Sequence, residues 1–346
     1  MFKIGVCGCF SYGHDALDGQ VVKTRTVTKE LENQFDQNEI QTIDTTNWRK
    51  NKLKITIACL KMALQCKNII IIAAQNGISV LIPLFTILSK IFGNKVHYCV
   101  VGGWLPEFLE SRPALLKSSK KLDSIHAETF NMIEKLKVLG LEQVYYLPVF
   151  KHQKVIEKQE LPTKYDEPYR FCTFSRVIKE KGIEDAINAI KTINDNTGYV
   201  ISKLDIYGQV ADDYKEQFQK IIEKSPPYIK YAGIIETGKI VETLSTYYCL
   251  LFPTYYPGEG FPATLLDSMM AGLPAIVSDW RYNIEIVQHG KTGLLYSLDN
   301  SKNLIAAIQH MISNPEEVIE MKYFCITEAN RFLPSAVITN FIKMLS

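Results

Sequence analysis

Glu259 and Asp267 are two carboxylates, eight residues apart, that flank the stretch GFPATLL. Glycines lie on both sides of Glu259, and glycine allows a backbone to approach a ligand closely. Pro262 suits the first turn of a helix, because the first amides of a helix have no intrahelical partners and proline lacks an N–H. The pattern therefore predicts a helix that begins near Pro262 and ends before Gly272.

The predicted helix holds the two acids too far apart to act on one bond. Eight helical residues rise roughly 12 Å, whereas the acid pair of a glycosidase lies roughly 5–9.5 Å apart. The amides of Ala263 and Thr264 would lie at the N-terminus of this helix, and such a terminus binds phosphate. We therefore expect a diphosphate between the acids and hydroxyl groups bound to each acid, which is the shape of a nucleotide sugar.

A second charged loop, FSRVIKEKG, carries Arg176 and Lys181 between a predicted strand and a predicted helix. Two cations in such a loop would neutralise a diphosphate leaving group without a metal ion. The alternative is an ordinary surface loop in which these cations pair with Glu180 or Glu184. We favour the functional interpretation, because both charged motifs fall in the same half of the chain.

Composition and charge narrow the classes of protein that this chain can represent. The 346 residues are 47% hydrophobic and 22% charged, which is typical of a soluble protein with room for two domains. A net charge of +2 gives no reason to expect a nucleic-acid partner. The eight cysteines include no CxxC pair, which favours reduced thiols in the cytoplasm. We see no signal peptide, and the apolar run from Ile78 to Leu88 is too short to span a bilayer.

Short apolar runs alternate with helical patterns along the chain, which is typical of parallel sheets covered by helices. The strands predicted in the first half are Phe2–Cys7, Ile40–Asp44, Asn68–Ala74, Lys95–Val101, Ser124–His126 and Val144–Val149. Those predicted in the second half are Arg170–Ser175, Ser202–Tyr207, Ile229–Tyr231, Cys249–Pro253 and Ala275–Ser278. A charged linker at about residues 151–168 separates the halves. We therefore expect an α/β protein with two doubly wound, Rossmann-like domains that face each other across a cleft.

Several motifs of the second half resemble those of the retaining nucleotide-sugar glycosyltransferases of family 4 (glycosyltransferase group 1). FSRVIKEKG is similar to that family's G/S-R-x-x-x-x-KG loop. LDIYGQV, YAGII, LFPTYYPGEGFPATLLDSMMAGLPAIVSD and HGKTGLLY then follow in the family's order. The resemblance implies the GT-B architecture, with an acceptor-binding domain at residues 1–150 and a nucleotide-sugar-binding domain at 151–330. Residues 331–346 would form a helix that returns toward the first domain.

The resemblance also implies a role for each matched residue. Glu259 would contact the donor sugar as the first acid of the family's E-x7-E motif, while Arg176 and Lys181 would bind the diphosphate. Asp267 would hold the ribose hydroxyls, although it is one methylene shorter than the family's usual glutamate. The other donor-binding residues that the resemblance implies are Gly19, Gln20, Ile234, Ile235, Gly260, Phe261, Ala263 and Thr264.

The acceptor site is expected in the first half of the chain, where the match to the family is poor. Family members often have a histidine after the fourth strand, but this loop reads VVGGWLPEF and contains Trp104. His14 or His126 would face the cleft instead, unless each has a structural role. Trp104 would also begin an apolar and basic face that either docks a lipid-linked acceptor or packs as an ordinary amphipathic helix. The other residues of that face are Phe108, Leu109, Arg112, Lys117, Lys120 and Lys121.

The motifs together predict an enzyme that transfers a sugar, with retention, from a nucleoside-diphosphate sugar to a hydroxyl of a glycan or lipid-linked acceptor. We favour a UDP-sugar as donor and expect no metal or other cofactor. The protein would work in the cytoplasm, at the inner face of the membrane, in bacterial surface-polysaccharide synthesis. Two alternatives stay open, namely a GT-B epimerase that needs no acceptor and a non-catalytic GT-B binding subunit.

Overall fold

The computed structural model describes residues 2–13 and 19–345, which form two compact units. The first unit contains the residues up to His152 and those from Pro334 onward, and the second contains Gln153–Leu333. Each unit is built on its own six-stranded sheet, in which all the neighbouring strands are parallel.

The first sheet has the strand order β2-β1-β3-β4-β5-β6, so the chain winds outward in both directions from β1. Its strands are β1 Phe2–Gly8, β2 Ile40–Asp44, β3 Cys66–Ile72, β4 Lys95–Cys99, β5 Ser124–Ala127 and β6 Val144–Tyr146. The helices between them are α1 Gly19–Gln34, α2 Lys52–Gln65, α3 Gln75–Phe92, α4 Leu105–Glu110, α5 Pro113–Ser119 and α6 Phe130–Val138.

The second sheet has the order β12-β11-β10-β7-β8-β9, which is the doubly wound order of dinucleotide-binding domains. Its strands are β7 Tyr169–Phe174, β8 Ser202–Tyr207, β9 Ile229–Gly233, β10 Cys249–Phe252, β11 Ala275–Ser278 and β12 Gly293–Tyr296. Its helices are α7 Ile183–Thr197, α8 Lys215–Glu223, α9 Ile240–Ser245, α10 Ala263–Met270, α11 Asn283–Ile286, α12 Ser301–Ser313 and α13 Pro315–Ala329.

Two short helices at the end of the chain, α14 Pro334–Val337 and α15 Thr339–Leu345, belong to the first unit. Phe341 and Leu345 of α15 are buried in the core of that unit, together with residues of β1 and β3. The side-chain amide of Asn68 donates a 2.9 Å hydrogen bond to the carbonyl oxygen of Leu345. The end of α15 is therefore fixed to the first sheet by apolar packing and by a buried polar contact.

The α/β class and the two doubly wound sheets predicted from the sequence are confirmed. Continuous apolar runs gave a clear signal, because parallel strands covered on both faces are apolar at every position. In β3, for example, the four isoleucines at positions 69–72 are all fully buried. The strand β12 was not predicted, since its four residues follow a loop motif and are too few to show a period. Pro262 occupies the N-cap of α10 rather than its first turn.

One helix of the described residues, α3, is long and apolar enough to cross a membrane by length and composition alone. The apolar run from Ile78 to Leu88 is thus part of a longer helix than the sequence indicated. A third of this helix is buried within the protein, and a helix of a protein core passes the same test.

Candidate active site

The candidate site lies at the carboxyl ends of β7 and β10, two neighbouring strands of the second sheet. The loop after β7 carries Arg176 and a 3-10 turn, Lys179–Lys181. The loop after β10 carries Glu259 and leads into α10. Ligands of open α/β sheets bind outside these strand ends, so the structure brings the two charged motifs of the sequence together where a ligand is expected.

A glycine allows the two loops to touch. Gly182 has a φ of 68°, and a Cβ at this position would lie only 2.1 Å from the carbonyl oxygen of Pro253. The amide of Tyr255 donates a 2.8 Å hydrogen bond to the carbonyl oxygen of Glu180, which fixes the loops to each other. The side chains on both loops are therefore held by backbone contacts.

Lys181 and Glu259 form an ion pair across these loops. Lys181 Nζ donates to Glu259 Oε2 at 2.6 Å, and the two side chains are only 11% and 8% exposed. The hydroxyl of Thr254 donates to the same carboxylate oxygen at 2.8 Å. Such a buried pair is stable only when hydrogen bonds satisfy it. Among the residues that the structure describes, both contacts fall on Oε2, which leaves Oε1 of Glu259 to accept from a ligand.

Tyr256 presents its ring to both cations of the site. The ring centroid lies 5.3 Å from Lys181 Nζ and 5.5 Å from Arg176 Cζ, within the range of cation–π attraction. A Cβ on Gly258 would come within 2.7 Å of this ring, so the glycine makes room for it. Trp280 Nε1 donates to the carbonyl oxygen of Tyr256 at 2.7 Å. Sequence reasoning missed Tyr256, although the two tyrosines before the glycine loop were a visible signal.

Arg176 is exposed, but its backbone is fixed on both sides. The amide of Val177 donates at 2.8 Å to the carbonyl oxygen of Gln209, in the loop after β8. A Cβ on Gly208 would lie 1.7 Å from the carbonyl oxygen of Ser175, so only glycine allows this loop to approach. The guanidinium can therefore reach a ligand from a backbone that stays in place.

The N-terminus of α10 begins just after Glu259. Pro262 is the N-cap, and because its side chain cannot accept a hydrogen bond, the first amides of the helix have no side-chain cap from this residue. Ala263 and Thr264 open the helix and are partly exposed. Their amides are the donors that a helix N-terminus offers to an anion.

The remaining predicted residues of this region are buried. Gly260 and Phe261 lie between Glu259 and α10, and the ring of Phe261 meets that of Phe332 edge to face at 5.2 Å. Asp267 is 2% exposed, in the second turn of α10. The side chain of Phe261 thus packs inward and fixes the loop that holds Glu259.

Ile234 and Ile235 follow β9, at the edge of the second sheet, and differ in exposure. Ile234 is 55% exposed, whereas Ile235 is buried. Because β9 is separated from β7 by β8, these residues lie roughly 10 Å from the loop of Arg176 in the plane of the sheet. Their predicted contact with a nucleotide base requires a ligand long enough to extend from the loop of Arg176 to the end of β9.

The predicted donor-binding residues of the first unit begin α1. Gly19 and Gln20 are its first two residues, and Gln20 Nε2 donates to the carbonyl oxygen of Ile72 at the end of β3. This places them at the carboxyl end of the first sheet. His14, predicted to bind the acceptor, lies outside the described residues.

His126, predicted to bind the acceptor, is buried in the first unit. The residue is 1% exposed on β5, and its Nε2 lies 2.6 Å from the hydroxyl of Ser124. Its ring packs against that of Phe341 at 4.4 Å. The structural alternative left open by the sequence therefore describes this histidine better.

Trp104 precedes α4 and is half-buried, with its ring edge to face with Phe108 at 5.2 Å. Leu109 is buried, and the guanidinium of Arg112 lies 3.8 Å above the ring of Phe108. The apolar side chains of this segment therefore contact one another and the core, as expected for the amphipathic-helix alternative.

Comparison with known proteins shows what the second unit is similar to. Residues 155–324 match the family described as "Glycosyl transferases group 1". The GtfA subunit of the UDP-N-acetylglucosamine–peptide N-acetylglucosaminyltransferase of Streptococcus agalactiae is 27% identical over 232 residues, which are 63% of this chain and 43% of that protein. Its counterpart from Streptococcus gordonii is 28% identical over 149 residues, 42% of this chain and 28% of that protein. The matches thus span less than half the length of these curated relatives.

Three solved structures share the fold. HepE of Anabaena, in complex with UDP and glucose, has a TM-score of 0.75 at 13% identity, with coverage of 100% of this chain and 99% of that one. The pneumococcal O-GlcNAc transferase GtfA, with UDP and GlcNAc, has a TM-score of 0.67 at 17% identity, with 85% and 60% coverage. Sucrose-phosphate synthase of Thermosynechococcus elongatus has a TM-score of 0.75 at 14% identity, with 99% and 98% coverage. These likenesses confirm the GT-B fold.

Proposed function

We propose a donor and a reaction for this chain, whose residues 155–324 match the family described as glycosyl transferases group 1. The protein transfers a sugar from a UDP-sugar to a hydroxyl group of an acceptor. The observation that carries the proposal is the Lys181–Glu259 ion pair, buried at the strand ends beside Arg176 and the N-terminus of α10. Similar structures bound to UDP, and curated relatives named for UDP-N-acetylglucosamine, support uridine as the base.

The diphosphate of the donor would be held by cations and amides. Lys181 has three N–H donors, so it can keep its bond to Glu259 and still donate to a phosphate oxygen. Arg176 would approach from the exposed side, and the amides of Ala263 and Thr264 from the start of α10. Ion pairing and the helix N-terminus together supply the positive charge that a diphosphate requires.

The donor sugar would lie against Glu259. Lys181 and Thr254 both bind Oε2, which orients the carboxylate and leaves Oε1 to accept a hydrogen bond from a sugar hydroxyl. The resemblance assigns the ribose hydroxyls to Asp267 and the base to the backbone of Ile234 and Ile235. These two contacts are part of the proposal.

The reaction replaces one bond to the anomeric carbon with another. The acceptor oxygen attacks the anomeric carbon while the bond between that carbon and the phosphate oxygen of the donor breaks. The electron pair of the broken bond leaves with UDP. The acceptor proton passes to the departing phosphate oxygen on the same face of the sugar, so the configuration is retained. Arg176 and Lys181 stabilise the charge that develops on the diphosphate, which is the role that a metal ion has in other enzymes.

The acceptor is proposed to be a hydroxyl of a glycan or of a lipid-linked sugar. The resemblance motivates this class, and a peptide hydroxyl, as in the names of the curated relatives, is the competing outcome. An enzyme of this kind would use UDP-sugars in the cytoplasm, at the inner face of the membrane.

The first experiment is thermal unfolding with UDP, ADP, GDP, UDP-glucose and UDP-N-acetylglucosamine, in the presence of EDTA. A ligand at about 100 times its Kd stabilises the folded state by roughly 2.7 kcal/mol, which gives a clear upward shift. We expect the shift with uridine nucleotides, a smaller shift in Lys181→Ala, and an unchanged one in Lys179→Ala, which removes an exposed lysine of the same turn. The absence of a shift with every nucleotide would refute the proposal.

Product analysis then separates the reactions. Incubation of the stabilising UDP-sugar with glycan, lipid-linked and peptide acceptors should give one glycosylated product, and NMR of its anomeric proton should show the configuration of the donor. A new UDP-sugar formed without acceptor would indicate an epimerase instead. Binding of UDP-sugar without any turnover would favour a non-catalytic subunit.

A further inference from the structure

Helix α2 has two apolar sides, and only one of them is buried. Cys59, Met62 and Ala63 are buried within the first unit. On the other side, four large aliphatic residues are between 44% and 75% exposed: Leu53, Ile57, Leu60 and Leu64. Their spacing of four, three and four residues places all of them on one face of the helix. A helix that packs on the surface of a soluble domain needs only the buried apolar side.

Helix α3 repeats the arrangement. Its buried stripe contains Ile78, Leu81, Ile82, Phe85 and Leu88. Its second stripe has the same four-three-four spacing and consists of Val80, Leu84, Ile87 and Ile91. Leu84 is half-buried, and the other three residues are between 53% and 67% exposed.

The two helices lie side by side. The connections from β2 to β3 and from β3 to β4 cross the sheet in the same direction, and right-handed crossovers then put α2 and α3 on the same face of the sheet. The two helices also pack against each other. The outer stripes of these two neighbouring helices are here called the α2–α3 face: Leu53, Ile57, Leu60, Leu64, Val80, Leu84, Ile87 and Ile91.

The charged residues of the segment that forms this face are all cationic. Residues 45–106 contain no aspartate or glutamate, but eight lysines and arginines. Lys54, Lys61 and Lys90 are exposed on α2 and α3 themselves. Lysine has a long apolar stem, so its ammonium group can extend past an apolar surface toward anionic groups. Aliphatic side chains within a cationic rim are typical of helices that lie in a membrane interface.

The composition of the face distinguishes among occupants. The centre of a protein–protein interface is enriched in aromatic residues, methionine and arginine and depleted of lysine, whereas this face is aliphatic with lysine around it. A second copy of the chain, related by a two-fold axis, would bring the same cations against each other. An anionic lipid surface matches both the aliphatic stripes and the charge. We propose that the α2–α3 face docks the protein on a bilayer that contains anionic headgroups.

Docking would be peripheral. The inner stripe of α3, including Ile82 and Phe85, is packed in the protein core, so α3 cannot leave the fold to cross the bilayer. The α2–α3 face also differs from the segment around Trp104 that the sequence suggested, because Leu109 of that segment is buried and Phe108 is covered by Arg112. The proposal that this face binds lipid holds whichever nucleotide sugar the protein uses.

The test is co-sedimentation with vesicles of phosphatidylcholine alone or mixed with phosphatidylglycerol, at low and high salt. The protein should sediment with the phosphatidylglycerol vesicles and be released by salt, which screens charge. The double variant Leu60→Gln/Ile87→Gln removes two exposed aliphatic side chains and should weaken binding by at least about tenfold. The matched control, Val138→Gln/Phe324→Gln, removes two exposed apolar side chains elsewhere and should bind as the wild type does.

A charge variant completes the test. Lys54→Gln/Lys61→Gln should weaken binding to phosphatidylglycerol vesicles and reduce its dependence on salt. Three results would overturn the proposal: no binding to these vesicles at low salt, undiminished binding of Leu60→Gln/Ile87→Gln, or a dimer that this variant dissociates.

Circular dichroism shows whether each variant is folded, and the UDP-induced thermal shift is measured in parallel. If the protein binds vesicles but UDP gives no thermal shift, the proposed donor is wrong and the docking face stands. If UDP gives the shift but the protein does not bind vesicles, the docking face is wrong and the donor stands.

Discussion

Lys181 Nζ and Glu259 Oε2 lie 2.6 Å apart in the folded protein, although 78 residues separate them along the chain. Each group is almost fully buried, so neither can be removed without leaving the other as an unpaired buried charge. The pair thus links the two loops that carry the charged motifs. It also makes the orientation of the carboxylate dependent on the lysine that would bind the diphosphate.

Replacement of Glu259 with glutamine should nearly abolish sugar transfer while UDP binding is kept. The amide has almost the shape of the carboxylate but offers a weaker acceptor to a sugar hydroxyl. The loss of such a charged, oriented group costs about 100-fold or more in rate. Initial rates with a UDP-sugar and acceptor, and the UDP-induced thermal shift, measure the two effects. Glu180→Gln, at a neighbouring carboxylate, is the control, and near-normal transfer by Glu259→Gln would refute the assignment.

Replacement of Gly182 with alanine should destabilise the second unit by more than about 2 kcal/mol, because it combines a left-handed backbone with a clash. The new Cβ would lie 2.1 Å from the carbonyl oxygen of Pro253. Gly198, at the other end of α7, has a similar φ of 76°, and a Cβ there would meet nothing within 4 Å. Gly198→Ala should therefore cost only about 1 kcal/mol. Urea unfolding of both variants gives the comparison, and equal losses would show that the loop contact is unimportant.

The sequence revealed the fold and the charged motifs, because both depend on local patterns. Apolar runs identified eleven of the twelve strands in the described part of the chain, and the order of the motifs placed Arg176, Lys181 and Glu259 in one domain. The direct pairing of Lys181 with Glu259 was not predicted, since it depends on how two loops far apart in sequence pack. Gly182 makes that packing possible, and nothing in the sequence next to it names Pro253 as its neighbour.

Tertiary contacts explain why sequence reasoning missed Tyr256 and could not foresee the surroundings of His126. A histidine looks reactive in a sequence, but His126 faces Ser124 and Phe341 within the core. Tyr256 looks like an ordinary loop residue, but its ring lies against both Arg176 and Lys181. Side-chain direction in a strand or loop is set by tertiary contacts, which no single sequence displays.

Removal of the Tyr256 ring should weaken donor binding. Each cation–π contact contributes about 0.5–2 kcal/mol, so Tyr256→Ala should raise the Kd for UDP by about tenfold. Tyr256→Phe keeps the ring and should bind UDP as the wild type does. Tyr255→Ala, at the preceding residue, tests whether any loss is specific to the ring that contacts the cations. Calorimetric titration with UDP measures all three, and an unchanged Kd in Tyr256→Ala would show that the ring does not organise the site.

The buried histidines of the first sheet should make its stability depend on pH. Burial lowers the pKa of His97 to about 4, against the effect of nearby Asp123, which raises it. Burial, with a smaller contribution from the charge of His97, lowers the pKa of His126 to about 3. Both rings contact the hydroxyl of Ser124, which lies 2.7 Å from Nδ1 of His97 and 2.6 Å from Nε2 of His126. Because the unfolded chain takes up protons near pH 6.5 and the folded chain does not, acid favours the unfolded state.

Stability of the first unit should therefore be constant above about pH 6.5 and fall by a few kcal/mol between there and about pH 5. Urea unfolding followed by circular dichroism across this range measures the slope. His126→Gln keeps a polar side chain beside Ser124 but cannot titrate, so the slope should fall by roughly half in this variant. His310→Gln, which replaces an exposed histidine of α12 in the second unit, is the matched control. Constant stability down to about pH 5 would contradict the prediction. It would mean that the two buried rings bind protons as readily in the folded protein as in the unfolded chain.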